Sequence, residues 1–246
     1  MSQFIAIHGP VGGTGKSTIA VNLANYLASK GKRVLIIETD VGGPALKAAI
    51  GARSSLHWND FYKGRSIKDI IYKNTSVAFD SIFADKKEIT SDKKILIQNL
   101  QRLQGQKRWL SNEYDYVIFD TRPGHFPEVI NTLTVADTII QVNRIDADNV
   151  DLSISMHDWL REDFAPNKRI IHIINQEPDP LPENYEIEID PDAEKAMKNW
   201  ETFIEDKEHV VIPLDPKVAT YLRWKRILPL DHIFIDYIGE ISKIVG

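Results

Sequence analysis

The chain has 246 residues, of which 43% are hydrophobic, and a formal net charge of −5. This length and composition suit one large α/β domain, in preference to two small ones, and we treat residues 1–246 as a single domain. The absence of cysteine excludes disulfides, thiolate zinc sites and cysteine-ligated iron–sulfur clusters. The acidic balance argues mildly against attraction of the whole surface to nucleic acid or anionic lipid. Without a leader-like segment or an apolar run of about 18 residues, we expect a soluble cytoplasmic protein.

The first feature that carries chemistry is a glycine-rich turn between a short β-branched run and a helical pattern. Its sequence is Gly9-Pro10-Val11-Gly12-Gly13-Thr14-Gly15-Lys16-Ser17-Thr18. This is the form of a phosphate-binding loop, although Pro10 replaces the first glycine of the GxxxxGK[ST] pattern. Backbone N–H groups of such a loop surround phosphate oxygens, Lys16 reaches the β- and γ-phosphates, and Ser17 holds Mg²⁺. The alternative is a turn without a ligand, but the strand before it and the helix after it favour nucleotide binding.

Downstream of the loop, helical and strand patterns alternate. Apolar spacing predicts helices over 17–30, 92–109, 126–136, 147–163 and 191–206, and short helical pieces within 45–75. Apolar runs predict strands over 33–40, 77–84, 116–120, 138–143, 170–175 and 210–214. This alternation predicts a doubly wound α/β fold with a mainly parallel sheet of about seven strands and helices on both faces. An acid- and proline-rich segment, 177–194, is interpreted as a solvated loop that enters a helix, in preference to a docking surface for a basic partner.

Two predicted strands end in carboxylates. Asp40 follows the second strand and Asp120 ends a later one. The carboxyl ends of parallel strands are where open α/β sheets bind ligands, so both acids are expected beside the phosphate loop. One can hold a metal-bound water and the other can position the attacking nucleophile of a phosphoryl transfer. Either acid alone could be a helix cap, but two of them after buried strands favour a magnesium–nucleotide site.

With these motifs the chain resembles the MinD/ParA family of deviant Walker A P-loop ATPases over nearly its whole length. The residues that carry the resemblance are Gly12 to Thr18, Asn22-Leu23-Ala24, Glu38-Thr39-Asp40, Val41 to Leu46, Asp120-Thr121-Arg122-Pro123-Gly124, Asn175, and Ile212-Pro213-Leu214-Asp215-Pro216. The resemblance implies that Asn175, Pro213, Leu214 and Asp215 hold the adenine of ATP or ADP. It also implies that Asp40 acts in hydrolysis, and that Ser17, Asp40 and Asp120 form the magnesium shell.

Two positions depart from the family pattern. Val11 stands where the family has a lysine that reaches the phosphates of a dimeric partner, and valine cannot donate to phosphate. Arg122 stands at a position that is usually apolar or proline. One hypothesis is that Arg122 supplies the missing positive charge as a catalytic residue, in cis or across a dimer. The equally weighted alternative is an arginine that faces solvent or pairs with a local acid such as Glu38.

Three further features have simpler interpretations. Glu38 replaces the first aspartate of the family motif, and both a structural role and a metal-linked role are open for it. His8 and His125 lie near the expected site but fit packing or capping roles. The basic cluster at Arg223, Lys225 and Arg226 could bind DNA in the manner of ParA-type members, although pairing with solvent or the acidic segment is favoured.

The C-terminal segment resembles a membrane-binding amphipathic helix in its apolar stripe. The stripe consists of Ile233, Phe234, Tyr237, Ile238, Ile241, Ile244 and Val245. Its polar side is acidic, whereas interfacial helices carry lysine and arginine there. Stable membrane anchoring is therefore not favoured, and the segment is predicted to pack on the domain as its last core helix.

The resemblance implies a slow, magnesium-dependent ATPase that forms an ATP-dependent homodimer, recognises a protein partner and positions or partitions a cellular cargo. Val11 keeps open a second interpretation, a nucleotide-binding scaffold or pseudoenzyme with little hydrolysis. A third is an ATP-using biosynthetic or metallocentre-insertion enzyme of the same superfamily. The lack of cysteine and of a separate substrate domain weighs against this third interpretation.

Overall fold

The computed structural model describes residues 2–86, 93–178, 190–223 and 226–246. The strands are β1 Gln3–His8, β2 Val34–Glu38, β3 Asp80–Ile82, β4 Tyr116–Asp120, β5 Thr138–Asn143, β6 Arg169–Glu177 and β7 His209–Pro213. The helices are α1 Lys16–Ser29, α2 Leu46–Ala49, α3 Trp58–Tyr62, α4 Ile67–Ile70, α5 Lys93–Glu113, α6 Pro127–Val135, α7 Val150–Asp158, α8 Pro191–Ile204, α9 Pro216–Arg223 and α10 Phe234–Val245. A π-helical stretch, Trp159–Phe164, continues α7.

The seven strands form one sheet in the order β3-β2-β4-β1-β5-β6-β7, and every neighbouring pair is parallel. The predicted doubly wound α/β architecture is confirmed. Because β1 lies between β4 and β5, its carboxyl end, which leads into the glycine-rich turn, stands in the middle of one edge. The sheet thereby places the loop next to the end of β4, with the end of β2 one strand further along.

Both faces of the sheet are covered. On β1, Ile5 and Ile7 belong to one buried cluster with α1 and α10, whereas Phe4 and Ala6 belong to a second cluster with α3, α5 and α6. This two-sided burial explains why the strands read as nearly continuous apolar runs instead of alternating ones. It also fixes the register of β4 with β1 and β2, which places Asp120 opposite Ile7 and Glu38.

Several predicted boundaries were wrong. The predicted strand over 77–84 contracts to β3, and the Asn74 side chain donates to the Phe79 carbonyl and the Ser81 hydroxyl beside it. The predicted helix over 147–163 begins at Val150 and changes to π-helix at Trp159. Most of the acidic segment 177–194 lies outside the described residues, as do Trp224 and Lys225 of the basic cluster.

The C-terminal helix packs on the domain as predicted. Ile238 and Ile241 are fully buried in the cluster that contains α1, and Gly239 lies against the Tyr26 ring. The apolar side of α10 is therefore occupied by protein, with Ile233, just before the helix, 62% exposed. No helix in the described parts of the chain has the length and apolar character needed to cross a membrane.

Ile238→Ala is expected to lower the free energy of unfolding by about 2–5 kcal/mol, because it leaves a cavity between α10 and α1. Ile233→Ala is the matched control, and its exposed side chain predicts a change within about 0.5 kcal/mol. Urea denaturation of the two variants measures both values. Equal effects would contradict the assignment of α10 to the core.

A chain of buried polar side chains links β5, β6 and α7. Asn143 Nδ2 lies 3.3 Å from His172 Nδ1, and His172 Nε2 lies 3.0 Å from His157 Nδ1. Since the Asn143 amide nitrogen is a donor, His172 accepts at Nδ1 and donates from Nε2, which is the arrangement of a neutral ring. Burial, together with the neighbouring His157, lowers the pKa of His172 to about 3.

The buried His172 ring predicts acid sensitivity. Its folded-state pKa lies below the ordinary value of 6.5, so the unfolded chain binds more protons, and stability falls as the pH drops from 6.5 toward 3. His172→Gln is expected to reduce this slope by up to about 1.4 kcal/mol per pH unit. Urea denaturation between pH 7 and pH 4 measures the slope, with the exposed His125→Gln as control. An unchanged slope in His172→Gln would show that this ring does not titrate as described.

Candidate nucleotide site

The glycine-rich turn connects β1 to α1 with the geometry of a phosphate loop. Gly13 and Gly15 adopt positive φ angles of 78° and 93°, which glycine tolerates and other residues rarely adopt. Gly15 is the N-cap of α1, so the turn ends where free N–H groups of the helix collect. The loop therefore directs backbone donors to one point at the carboxyl edge of the sheet.

Lys16 is held over this loop. Its side chain is buried, and Nζ donates to the Val11 carbonyl at 2.7 Å. Burial lowers the pKa of Lys16, while the nearby carboxylates Asp120 and Asp40 act in the opposite direction. Val11, which cannot offer a side-chain donor, thus contributes a backbone acceptor that positions the loop's own lysine.

Asp120 is a deeply buried acid beside the loop. It ends β4, it is 1% exposed, and the Ser17 side chain lies beside its carboxyl group. Its Oδ1 atom has no hydrogen-bond partner among the described residues. Burial, followed by the charge of Glu38, raises the pKa of Asp120 to about 7. A carboxylate oxygen without a hydrogen-bond partner, next to a hydroxyl, can ligate a hard cation such as Mg²⁺. Mg²⁺ takes one or two protein ligands and completes its shell with water and phosphate.

Asp40 and Glu38 have different surroundings at the end of β2. Asp40 Oδ1 accepts the N–H groups of Gly42 and Gly43 at 2.9 and 3.0 Å, so it caps the turn that follows the strand. Glu38 is buried and accepts three backbone N–H groups, two at the start of α2 and one beyond β3. These bonds occupy both of its carboxylate oxygens, which gives Glu38 a structural role.

Arg122 pairs with a local acid, but not with Glu38. Its Nη1 atom lies 3.1 Å from Glu128 Oε1, and its Cζ lies 3.4 Å from the centre of the Phe126 ring. The guanidinium also lies beside Gly42, next to the turn that Asp40 caps. The local ion pair of the alternative is therefore present, with Glu128 in place of Glu38. The hypothesis that Arg122 acts on the phosphates stays a prediction.

The residues predicted to hold the adenine base lie on the side of the loop away from Asp40 and Arg122. Asn175 donates from Nδ2 to the Thr14 carbonyl at 2.8 Å. Together with the loop, it borders a cavity of about 150 Å³. The lining comprises Gly15, Thr18, Asn175, Gln176, Pro213, Leu214, Asp215, Val218, Ala219 and Phe234. All four residues predicted to hold adenine are thus brought together beside Gly15 and Thr18.

Gln176 was missed by the sequence analysis. The pairing of β6 with β7 is irregular between Asn175 and Glu177, and Gln176 adopts a φ of 65° there. Its Nε2 atom donates to the Gly13 carbonyl at 3.2 Å. No sequence pattern marks such an irregularity, because it depends on how the two strands pair.

The two histidines near the site both make packing contacts with neighbouring side chains. His8 is fully buried, and its Nδ1 lies 2.8 Å from the Thr121 hydroxyl. Burial and the charge of Lys16 lower its pKa to about 3, so the ring is neutral. His125 packs edge-on against Trp159 with 4.2 Å between ring centres. The packing roles predicted for both rings agree with these contacts.

The basic cluster is described only in part. Arg226 is exposed and borders a cavity of about 260 Å³, which also contains Ser17, Asp120 and the start of α2. Arg223 is the last residue of α9. The DNA-binding hypothesis, which depends on the joint arrangement of Arg223, Lys225 and Arg226, therefore stays a prediction.

A glycine-rich loop between a central parallel strand and a helix, with an acid at the end of the adjacent strand, defines the P-loop NTPase class. Residues 2–150, more than half of the chain, match the family model described as an AAA domain. The chromosome partitioning protein ParA of Myxococcus xanthus is 28% identical over 147 residues, which is 57% of this chain and 51% of ParA. The chain belongs to the MinD/ParA family of P-loop ATPases.

Solved structures agree on the fold. Apo McdA from Cyanothece superposes with a TM-score of 0.80 at 17% identity and covers 100% of both chains. The septum site-determining protein MinD of Pyrococcus horikoshii, solved with Mg-ADP, gives 0.71 at 20% identity and covers 100% of this chain and 98% of its own. The chain spans about half the length of the curated relatives that it matches.

Proposed function

We propose that residues 1–246 form one domain that binds ATP and ADP with Mg²⁺ at the glycine-rich loop. The observation that carries this proposal is the convergence of Lys16, Ser17 and Asp120 at the loop, with a buried Asp120 oxygen that lacks a hydrogen-bond partner among the described residues. The P. horikoshii MinD structure, solved with Mg-ADP, supports the same ligand. The cavity beside Asn175 accommodates the base.

Each predicted site residue has a role in this proposal. The loop, Gly12 to Thr18, binds the phosphates through its backbone, and Lys16 neutralises charge on the β- and γ-oxygens. Ser17 and Asp120 hold Mg²⁺, which neutralises phosphate charge when it is bound, and Asp40 completes the metal shell and orients the attacking water. Arg122 adds positive charge at the γ-phosphate. Asn175, Pro213, Leu214 and Asp215 enclose the adenine.

We further propose slow ATP hydrolysis that controls a homodimer and its recognition of a protein partner. The names of the relatives support this: ParA of M. xanthus is a chromosome partitioning protein, and MinD of Aquifex aeolicus has been solved in a complex with MinC. The cargo positioned by this chain is not specified by these similarities. Val11 keeps open the alternative of a nucleotide-binding scaffold with little hydrolysis, because valine cannot donate to a partner's phosphates.

Size-exclusion chromatography with light scattering, in ADP, ATP and a non-hydrolysable analogue, tests the dimer, and phosphate release tests hydrolysis. The proposal predicts a dimer with ATP and its analogue, a monomer with ADP, and slow release of phosphate. A monomer in all three nucleotides would remove the dimer switch. Nucleotide-dependent dimerisation without phosphate release would support the scaffold instead.

A further inference from the structure

We propose that Glu128 is a positioning residue for Arg122 and presents one edge of its guanidinium to the γ-phosphate of the bound nucleotide. This inference rests on the proposed function, since it requires a nucleotide in the loop. It adds a residue to the site that no sequence motif assigns. Because a diphosphate has no γ-phosphate, this arrangement makes the site bind nucleoside triphosphate in preference to diphosphate.

Arg122 is held by two neighbouring side chains, Glu128 and Phe126. Glu128 is 5% exposed in the first turn of α6, where the positive end of the helix stabilises a carboxylate. Its Oε1 atom binds Arg122 Nη1 at 3.1 Å. The Phe126 ring supports the guanidinium plane, with Cζ 3.4 Å from the ring centre. One end and one face of the group are therefore fixed.

These contacts leave the Nε–Nη2 edge of the Arg122 guanidinium available for a ligand. The Nε and Nη2 donors share the opposite edge of the planar guanidinium, which is a fork suited to two oxygens of a phosphate. Arg122 Nε is buried and has no hydrogen-bond partner within the described residues. A buried donor without an acceptor is unfavourable, and a phosphate oxygen would satisfy it.

The free edge of the guanidinium lies beside the turn that follows β2. Nη2 is 3.8 Å from the position that a Cβ on Gly42 would take, and the same position is 3.3 Å from Asp40 Oδ1. Gly42 and Asp40 belong to the turn after β2, which is adjacent in the sheet to β4 and Asp120. The edge therefore lies beside the acid proposed to act on the attacking water, on the side of the loop away from the base cavity.

A competing interpretation predicts the opposite effect of Glu128 removal on triphosphate binding. If Glu128 restrained Arg122 from reaching the nucleotide, removal of the carboxylate charge would strengthen binding of a triphosphate. If Glu128 instead orients the guanidinium, its removal weakens triphosphate binding, and it does so only while Arg122 is present. The two interpretations are separated by a double-mutant cycle.

Calorimetric titration of MgAMP-PNP and MgADP into wild type, Arg122→Ala, Glu128→Gln and the double variant provides the test. The measured quantity is the ratio of the two dissociation constants. We expect Arg122→Ala to lower the preference for AMP-PNP about tenfold and Glu128→Gln to lower it severalfold. The double variant should be no weaker than Arg122→Ala alone. The exposed pair Arg33–Asp115, at the opposite edge of the sheet, supplies the control variants Arg33→Ala and Asp115→Asn.

The outcomes distinguish this inference from the proposed function. If wild type binds both nucleotides and Glu128→Gln leaves or increases the preference for AMP-PNP, the positioning role is wrong and the nucleotide site stands. Additive losses in the double variant would also overturn it, because they would show that Glu128 acts independently of Arg122. If wild type binds neither nucleotide, the proposed function fails and this inference fails with it.

Discussion

Lys16→Ala is expected to reduce ATP hydrolysis by about 10²–10³-fold and to weaken binding of MgATP. The Lys16 ammonium is buried over the loop, and its hydrogen bond to the Val11 carbonyl already fixes it there. A preorganised charge in a dry site stabilises the charge that develops on the phosphates without reorganisation when the reaction takes place. The effect is expected to be large because valine at position 11 has no side-chain donor, so Lys16 carries more of the charge that neutralises the phosphates.

Lys32→Ala is the matched control for this variant. Lys32 is exposed in the turn that follows α1, at the end of the helix opposite the loop. Phosphate release and the affinity for a fluorescent ATP analogue should stay at wild-type values in this control. Wild-type hydrolysis by Lys16→Ala would contradict the assignment of the lysine to the phosphates.

Gly15→Ala is expected to abolish measurable nucleotide binding and to lower the free energy of unfolding by about 2 kcal/mol or more. Gly15 has a φ of 93°, which is strained for alanine. A Cβ at this position would stand 2.2 Å from Asn175 Nδ2, the atom that binds the Thr14 carbonyl. The substitution would therefore displace the loop from the strand end that borders the base cavity.

The control for Gly15→Ala lies in the same loop. Gly12 does not have a positive φ, and a Cβ there would meet no atom within 4 Å, so Gly12→Ala should change the stability by less than about 0.5 kcal/mol. Urea denaturation compares the two variants. Equal stabilities would show that the close contact between Gly15 and Asn175 is not maintained in solution.

The fold could be predicted because its signals are local and strong. Buried apolar runs such as Tyr116–Asp120 and a glycine-rich turn before a helical pattern are typical of parallel α/β proteins, and the structure confirms both. The same logic placed Asp40 and Asp120 at the carboxyl edge of the sheet. Neighbouring parallel strands bring their ends together whatever the loops between them do.

The remaining features depend on contacts that sequence spacing does not encode. The side chain that pairs with Arg122 is Glu128, six residues away across a turn, and the expected alternative, Glu38, is occupied by backbone N–H groups. Gln176 reaches the loop only because the pairing of β6 with β7 is irregular. Such contacts follow from tertiary packing, so they became visible only in the structure.

The most direct test of the central claim is a calorimetric titration of MgADP and of a non-hydrolysable MgATP analogue into the wild-type chain and Lys16→Ala. We expect saturable binding of one nucleotide per chain by wild type, weakened when Mg²⁺ is removed and strongly weakened in Lys16→Ala. Absence of binding to wild type, or equal binding by the two proteins, would contradict a nucleotide site at the glycine-rich loop.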